Sequence, residues 1–249
     1  MNLHPTDRPG PPDFEHARNK RQKVRAAGMD PNHWYAVEHG SNLGPGEVTE
    51  VVFWRHSVAL YRDTWGTLHA VENRCAHRQL KLSLGSVEND RLVCPYHGWK
   101  YDGCGKCVEI SHELKQGKRA LPDIRVRDYP IQEKYGLIWV FPGDPAKAET
   151  VPLPEIPQLA GDKPWPFVPI DVTIGSHFSM IVENVCDFNH AYLHRRFKPF
   201  VRPKLKRFRR EDETITVDYQ TGFGEGGLAK IFAEKGGKDL NGISIAYDY

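Results

Sequence analysis

The sequence predicts an α+β protein in which an all-β domain precedes the start of a domain that mixes helix and strand. The first observation is that residues 33–142 contain short β-rich runs separated by turn residues. Closely spaced short strands with few helices are typical of a small β-sandwich or barrel. The second observation is the Pro-rich segment that follows, and the third is the return of strand and helix patterns after it.

These features divide the chain into four parts. Pro and Gly dominate the first residues, and a short basic helix follows them, so we expect a solvated arm before the β-rich region. The predicted parts are an N-terminal arm (1–32), an all-β domain (33–144), an extended Pro-rich linker (145–166) and the beginning of the second domain (167–249).

The second domain is expected to alternate between strand and helix. We predict a strand over residues 167–174, a helix from 178 to about 193, a short helix around 228–235 and a final strand over 242–249. Between the two helices lies charged, strand-like sequence.

Composition excludes several classes of function. The 249 residues include 34 Lys and Arg against 32 Asp and Glu, and this net charge of +2 argues against a dedicated nucleic-acid binder. No apolar run approaches the ~18–20 residues of a membrane span. The N-terminus lacks the apolar region of a secretory signal, and five cysteines are too few for a secreted disulfide scaffold. We therefore expect a cytoplasmic protein.

The strongest chemical signal is a pair of Cys/His motifs. Cys75 and His77 are separated by one residue, and Cys94 and His97 follow 16 residues later, separated by two. Two thiolates and two imidazoles can hold a tetrahedral zinc ion. They can also hold a [2Fe–2S] cluster, with two Cys on one iron and two His on the other. A Cys-x-His pair is unusually tight for zinc, so the spacing favours the cluster.

In its setting, this motif resembles the Rieske domain of the ring-hydroxylating, non-haem iron oxygenases. The resemblance covers residues 33–142 and includes the sequences Cys-Ala-His-Arg and Cys-Pro-Tyr-His-Gly-Trp-Lys-Tyr-Asp. It implies that Cys75, His77, Cys94 and His97 bind the cluster, with Arg78 and Trp99 packed on its loops. Tyr96 occupies a position where high-potential Rieske proteins carry Cys, which predicts a potential near the low end of the range, about −150 mV.

A second constellation consists of Asp187, His190 and His194. Two His four residues apart share one face of a helix, and two His with one carboxylate form the facial triad of non-haem Fe(II) oxygenases. The stretch resembles the mononuclear iron segment of the same family. The resemblance implies that His190 and His194 bind Fe(II). It also implies that Asp187 is a catalytic relay to the cluster of a neighbouring subunit in a head-to-tail homotrimer, with or without an added β subunit.

The sequence departs from the family pattern after His194. The family's third iron ligand is an Asp or Glu well over one hundred residues further on, whereas only 55 residues follow His194 in this chain of 249. We identify no third carboxylate ligand. We therefore expect the chain to stop part-way through an α+β, helix-grip-like catalytic domain.

Two further features leave their functions open. Cys104 and Cys107 form a Cys-x-x-Cys pair without a thioredoxin-like setting, and we interpret them as a hairpin beside the cluster. The dense basic residues of 195–210 fit an acidic ferredoxin or reductase, an anionic substrate, or a solvated face.

The resemblance implies the terminal oxygenase component of a Rieske non-haem iron oxygenase. Such a component takes NAD(P)H-derived electrons from a reductase or a ferredoxin and uses O2 to hydroxylate, dihydroxylate or dealkylate a small hydrophobic, cyclic substrate. Two alternatives stay open. One is a Rieske-type electron-transfer protein without its own oxygenase chemistry, and the other is a zinc-stabilised interaction protein.

Overall fold

The structure is a computed structural model, and it describes residues 14–28, 30–53, 56–110, 123–167, 172–187, 200–211, 214–223 and 242–248. The chain forms two compact units, one made of residues 28–169 and the other of residues 1–27 together with 170–249. The limits that the sequence predicts for the arm, the β domain, the linker and the second domain stay predictions.

The described residues form antiparallel strands and short helices. The helices are α1 (Lys20–Ala27), α2 (Pro145–Ala148) and α3 (Phe178–Cys186). The strands of the first unit are β1 (Tyr35–His39), β2 (Val48–Phe53), β3 (His56–Arg62), β4 (Leu68–Glu72), β5 (Ser86–Glu88), β6 (Arg91–Val93), β7 (Lys100–Tyr101), β8 (Cys107–Glu109), β9 (Ile131–Lys134) and β10 (Leu137–Val140). Those of the second unit are β11 (Phe200–Glu211), β12 (Thr214–Phe223) and β13 (Gly242–Asp248).

Three sheets stack in the unit 28–169. The β2-β3-β4 sheet has a buried core on each face, since Val58 and Leu60 enter one core and Ala59 and Tyr61 enter the other. Alternate residues of a strand point to opposite faces, so a strand buried on both faces needs a continuous apolar run. That requirement explains why residues 58–61 are all apolar and fully buried.

The outer sheets close these two cores. The β1-β10-β9 sheet covers one face of the β2-β3-β4 sheet through Ile138 and Val140. The β5-β6-β7-β8 sheet covers the other through Leu92, Tyr101 and Cys107. Cys75 and Cys94 belong to this second core, so the loops that carry them extend directly from the packed interior.

The second unit contains α1, α3 and an antiparallel sheet of order β11-β12-β13. The Arg21 guanidinium contacts the Glu183 carboxylate at 3.1 Å and also reaches the sulfur of Met180, so α1 lies against α3. The described part of the basic stretch forms the edge strand β11, on which Arg209 pairs with Asp218 at 3.4 Å.

Several predicted elements differ from the observed ones in where they begin or end. The helix expected to reach residue 193 ends at Cys186, and Asp187 is extended. A carboxylate is unfavourable at the negative end of a helix dipole, and Asp is a weak helix former, so the helix ends before it. Residues 172–174 are not in a strand, contrary to prediction, and the helix expected around 228–235 lies outside the described residues. Strands β5, β8 and β9 are not predicted by the sequence pattern.

Within the described ranges, none of the helices has the length and apolar character that crossing a bilayer requires.

Candidate metal centre

Two loops of equivalent geometry carry the paired motifs. In the first, the Cys75 amide donates to the Leu80 carbonyl at 2.8 Å, and the Gln79 amide donates to the Cys75 carbonyl at 2.9 Å. In the second, the Cys94 amide donates to the Trp99 carbonyl at 2.8 Å, and the Gly98 amide donates to the Cys94 carbonyl at 3.0 Å.

The fourth residue after each Cys lies in the left-handed region, with φ of 62° at Gln79 and 66° at Gly98. That conformation costs little for Gly and is uncommon for other residues. The two loops therefore form the same type of turn, and in each loop the turn is closed by a hydrogen bond to the carbonyl of its Cys.

Both thiols point into the interior. Cys75 and Cys94 are each 2% exposed and belong to one apolar core. Burial raises the pKa of the Cys94 thiol, whereas hydrogen bonds to its sulfur from the backbone amides of Tyr96 and His97 act in the opposite direction. Those amides point at the sulfur and are suited to a metal-bound thiolate, which accepts hydrogen bonds and carries no proton.

The two imidazoles lie at the tip of the loops. His77 is exposed and His97 is half-buried, and their ring centroids are 4.7 Å apart. The Trp99 indole stacks on His77 at 4.7 Å with an interplanar angle of 3°. The Tyr96 ring stacks on His97 at 3.8 Å and 25°. The two sulfur atoms are thus inside and the two imidazole rings outside, an arrangement that fits an inner and an outer iron.

Tyr101 connects the first loop to the core. Its hydroxyl accepts a hydrogen bond from the Ala76 amide at 3.1 Å and lies 3.2 Å from the Cys75 sulfur. Because the hydroxyl oxygen already accepts from an amide, its proton is available to the sulfur. Burial is the main cause of the raised pKa of Tyr101, so the hydroxyl keeps that proton. Hydrogen bonds to cluster sulfurs tune reduction potential.

A polar network fixes the start of the first loop. The buried Asn73 side chain donates to the hydroxyls of Ser57 at 3.0 Å and Ser83 at 2.9 Å, and it accepts from the Ser83 amide at 2.7 Å. Ser57 in turn donates to Glu50, which pairs with Lys81 at 2.8 Å. The hydrogen bond from Lys81 is the first cause of the lowered pKa of Glu50. This network links strands β2 and β3 to both sides of the loop.

These residues fit a binuclear cluster. A Rieske cluster divides its ligands into a pair of thiolates and a pair of imidazoles. Two buried thiols that lie behind two neighbouring imidazoles match that division.

The structure describes only one residue of the second constellation. Asp187 is exposed at the end of α3, where its amide donates to the carbonyls of Glu183 and Asn184. His190 and His194 lie outside the described residues, so their role as iron ligands stays a prediction. The same holds for the unidentified third ligand.

Cys104 and Cys107 differ in burial. Cys104 is exposed in the turn before β8, whereas Cys107 is 1% exposed, and both thiols are free. Burial raises the pKa of Cys107 to about 11. This difference in exposure agrees with a hairpin that packs beside the candidate metal centre.

Comparison with known proteins identifies the first domain and shows what the longer chain resembles. The family model described as the Rieske [2Fe-2S] domain matches residues 33–130. A 4beta-methylsterol monooxygenase from Methylococcus capsulatus (strain Bath) is 56% identical over 230 residues, which cover 92% of this chain and 62% of that relative. The chain contains a Rieske [2Fe-2S] domain, and over most of its length it is similar to Rieske-type oxygenases.

Further Rieske-type oxygenases are similar to this chain over a smaller share of its length. The oxygenase component of dicamba O-demethylase from Stenotrophomonas maltophilia is 34% identical over 166 residues, covering 66% of this chain and 47% of that protein. The solved structure of dicamba monooxygenase bound to 3,6-dichlorosalicylic acid matches with a TM-score of 0.66 and 25% identity, covering 89% of this chain and 65% of that chain. The chain thus spans less than two thirds of the length of these relatives.

These matches confirm the predicted resemblance to the Rieske-type oxygenases, the α+β fold class and the Rieske [2Fe–2S] cluster. The four ligands named by number stay predictions. Sequence reasoning missed Asn73 and Tyr101 as neighbours of the site, and it did not predict that the Tyr96 ring stacks on His97. Tyr101 stands two residues after Trp99 at the end of the second motif, and this proximity is a signal that could have indicated it.

Proposed function

We propose that this chain is the terminal oxygenase component of a Rieske non-haem iron oxygenase that acts on a sterol or a similar polycyclic substrate. The single observation of the structure that carries the cluster proposal is the paired loop geometry, with two buried thiols behind two neighbouring imidazoles. The oxygenase role is supported by relatives named as oxygenases. The substrate class rests on the 56% identity to a 4beta-methylsterol monooxygenase over 92% of this chain. We expect oxidation of a methyl carbon of the ring system.

Each residue of the proposed cluster site has a distinct part. Cys75 and Cys94 would hold the inner iron, and His77 and His97 the outer one. When bound, the cluster supplies one-electron transfer. The buried thiols exclude water from the inner side, and the exposed His77 ring leaves an edge through which electrons can enter.

The second proposed centre lies after α3. His190 and His194 would hold mononuclear Fe(II), which supplies O2 activation when bound, and Asp187 would relay electrons to it from a neighbouring subunit. The exposed position of Asp187 at the end of α3 agrees with a role at a subunit boundary. A homotrimer, a reductase or ferredoxin donor and a cytoplasmic location belong to this proposal.

Electron paramagnetic resonance and iron counting test the proposal together. We expect the anaerobically purified, dithionite-reduced protein to give a rhombic signal with the low average g of a His-ligated [2Fe–2S] centre. Replacing His77 by Cys should abolish that signal type while iron is retained. A protein that contains zinc and gives no signal would overturn the cluster assignment.

The second centre distinguishes an oxygenase from an electron carrier. We expect three irons per chain in the native protein, and about two in the His190→Ala–His194→Ala double variant with the cluster signal unchanged. Turnover with a 4-methylsterol, NADH and a reductase should consume O2 only in the native protein. Two irons per chain in the native protein would favour a Rieske-type carrier.

A further inference from the structure

Four aromatic rings form one continuous series at the tip of the candidate metal centre. Tyr96 contacts His97 at 3.8 Å, His97 contacts His77 at 4.7 Å, and His77 contacts Trp99 at 4.7 Å. Each imidazole therefore touches the other and one further ring. Both additional rings come from the second loop, although one of the imidazoles they contact comes from the first.

The two sides of the site are held in different ways. The thiols are fixed by the surrounding core and by backbone hydrogen bonds. The imidazoles are less enclosed by the core, because His77 is exposed and His97 is half-buried. An exposed side chain loses rotamer freedom when it binds a metal, and that loss opposes binding unless the protein has already fixed the ring. The ring series supplies this fixation.

We infer that Trp99 and Tyr96 are positioning residues that fix the imidazole planes before the cluster binds, Trp99 for His77 and Tyr96 for His97. This inference rests on the proposed cluster function and assigns each ring to one histidine. The indole of Trp99 lies parallel to the His77 ring within 3°, the alignment that a stacked pair adopts. Tyr96 is 55% exposed, so its contact with His97 is not a by-product of core packing.

The assignment has a spectroscopic consequence. In the reduced cluster each histidine nitrogen couples to the unpaired electron, and the size of that coupling depends on the ring's orientation. Trp99→Leu removes the ring against His77 and leaves Tyr96 in place, whereas Tyr96→Leu does the opposite. The two variants should therefore disturb different nitrogen couplings.

The experiment is pulsed electron paramagnetic resonance of the reduced native protein and of five variants. We expect Trp99→Leu to shift one of the two histidine couplings and Tyr96→Leu to shift the other. Trp99→Phe and Tyr96→Phe keep a ring and should restore the native couplings. Trp65→Leu is the matched control, because Trp65 is exposed in the same unit and has no ring contact within the described residues. It should leave both couplings unchanged.

Cluster retention gives a second readout. We expect each Leu variant to lose its visible cluster absorbance to a chelator about tenfold faster than the native protein, the usual effect of removing a partner that orients a metal ligand. The Phe variants and Trp65→Leu should lose it at the native rate.

The outcomes separate this inference from the proposed function. No Rieske signal in the native protein would overturn the cluster proposal itself. A native signal with both couplings and the retention rate unchanged in the Leu variants would overturn the positioning role alone. Faster cluster loss without a selective change in one histidine coupling would also overturn the positioning role, because it indicates a general packing effect. Phe variants that behave like the Leu variants would overturn it for the same reason.

Discussion

At the scale of single residues, the hydroxyl of Tyr101 is the feature of the site with the clearest measurable effect. It lies 3.2 Å from the Cys75 sulfur and is positioned to donate to it. A hydrogen bond to a cluster sulfur stabilises the more negative, reduced state. We expect Tyr101→Phe to lower the reduction potential by about 40 mV, the equivalent of about 1 kcal/mol for one electron. A redox titration followed by electron paramagnetic resonance measures the shift.

Tyr61 is the matched control for that prediction. It is buried in the same core as Tyr101, but its hydroxyl has no hydrogen-bond partner among the described residues. Tyr61→Phe should therefore leave the potential unchanged, and it should not lower the free energy of unfolding, because it removes a buried polar group that is unpaired. An equal shift of potential in both variants would show that the effect comes from the core and not from the hydrogen bond.

The four proposed cluster residues stand out in the sequence because a metal site needs rare residue types at fixed spacing, and their role as ligands stays a prediction. Cys75 and Cys94 are identifiable in the sequence for that reason. The contacts of Tyr101 and Asn73 could not be predicted, because hydrogen bonds between residues 25 or 26 positions apart for Tyr101, and 10 or 16 positions apart for Asn73, depend on how the strands and loops pack. The stacking of Trp99 on His77 depends in the same way on how the two loops meet.

At the scale of elements, the turn that precedes β5 depends on a close approach of two backbones. A Cβ added to Gly85 would lie 1.9 Å from the carbonyl oxygen of Val93, the residue before Cys94. We expect Gly85→Ala to lower the free energy of unfolding by about 1–3 kcal/mol, the range for overpacking, and to weaken cluster retention because Val93 must move. Urea unfolding measures the first effect.

Gly175 provides the comparison for Gly85. Nothing lies within 4 Å of a Cβ added there, so Gly175→Ala should be neutral or slightly stabilising. If both substitutions cost the same free energy, the close approach at Gly85 is not the cause.

The turn between β3 and β4 is stabilised by a buried carboxylate. Asp63 accepts from the amides of Trp65 at 3.0 Å and Thr67 at 2.8 Å, and its other oxygen lies 3.2 Å from the His69 ring. Burial by itself would raise the pKa of Asp63, but the hydrogen bonds from Thr67, His69 and Trp65 outweigh it and lower that pKa. The folded state therefore favours the ionised form.

This shift fixes the sign of a pH effect. The stability that the Asp63 carboxylate contributes is present above the unfolded pKa of about 3.9 and is lost as pH falls through the lower folded value. We expect Asp63→Asn to reduce the free energy of unfolding by about 1 kcal/mol at pH 7 and by progressively less below pH 4. Urea unfolding at several pH values tests it, and a deficit of constant size down to pH 2.5 would contradict the prediction.

Strands can be predicted from the sequence where they have a clear hydrophobic pattern, and they are missed where they have none. The run at β3 is apolar at every position because both of its faces are buried, so the sequence indicates it clearly. Strand β9 is largely exposed and polar, and β5 has three residues, so neither has a hydrophobic pattern. The helix α3 ends at Cys186 and not near residue 193, because a boundary depends on which terminal carbonyls find partners.

At the scale of the whole molecule, the core of the unit 28–169 is built partly from the proposed ligands. Cys75 and Cys94 are each 2% exposed inside a cluster of apolar side chains, and burial raises the pKa of Cys94. A cluster that binds only the folded chain stabilises it by mass action. Its removal also leaves two thiols, with amide and hydroxyl donors directed at their sulfurs, without a metal.

We therefore expect anaerobic removal of the cluster by chelation to lower the Tm by at least about 5 °C, since ~2 kcal/mol corresponds to a shift of that size for a chain of this length. Scanning calorimetry of loaded, cluster-free and reconstituted protein measures it, and reconstitution should restore the original Tm. The Cys75→Ala–Cys94→Ala variant should have a Tm that does not respond to iron and sulfide. If the loaded and cluster-free proteins melt together, the loops are fully formed by the β-sheets alone, and the cluster contributes chemistry without contributing to the stability of the fold.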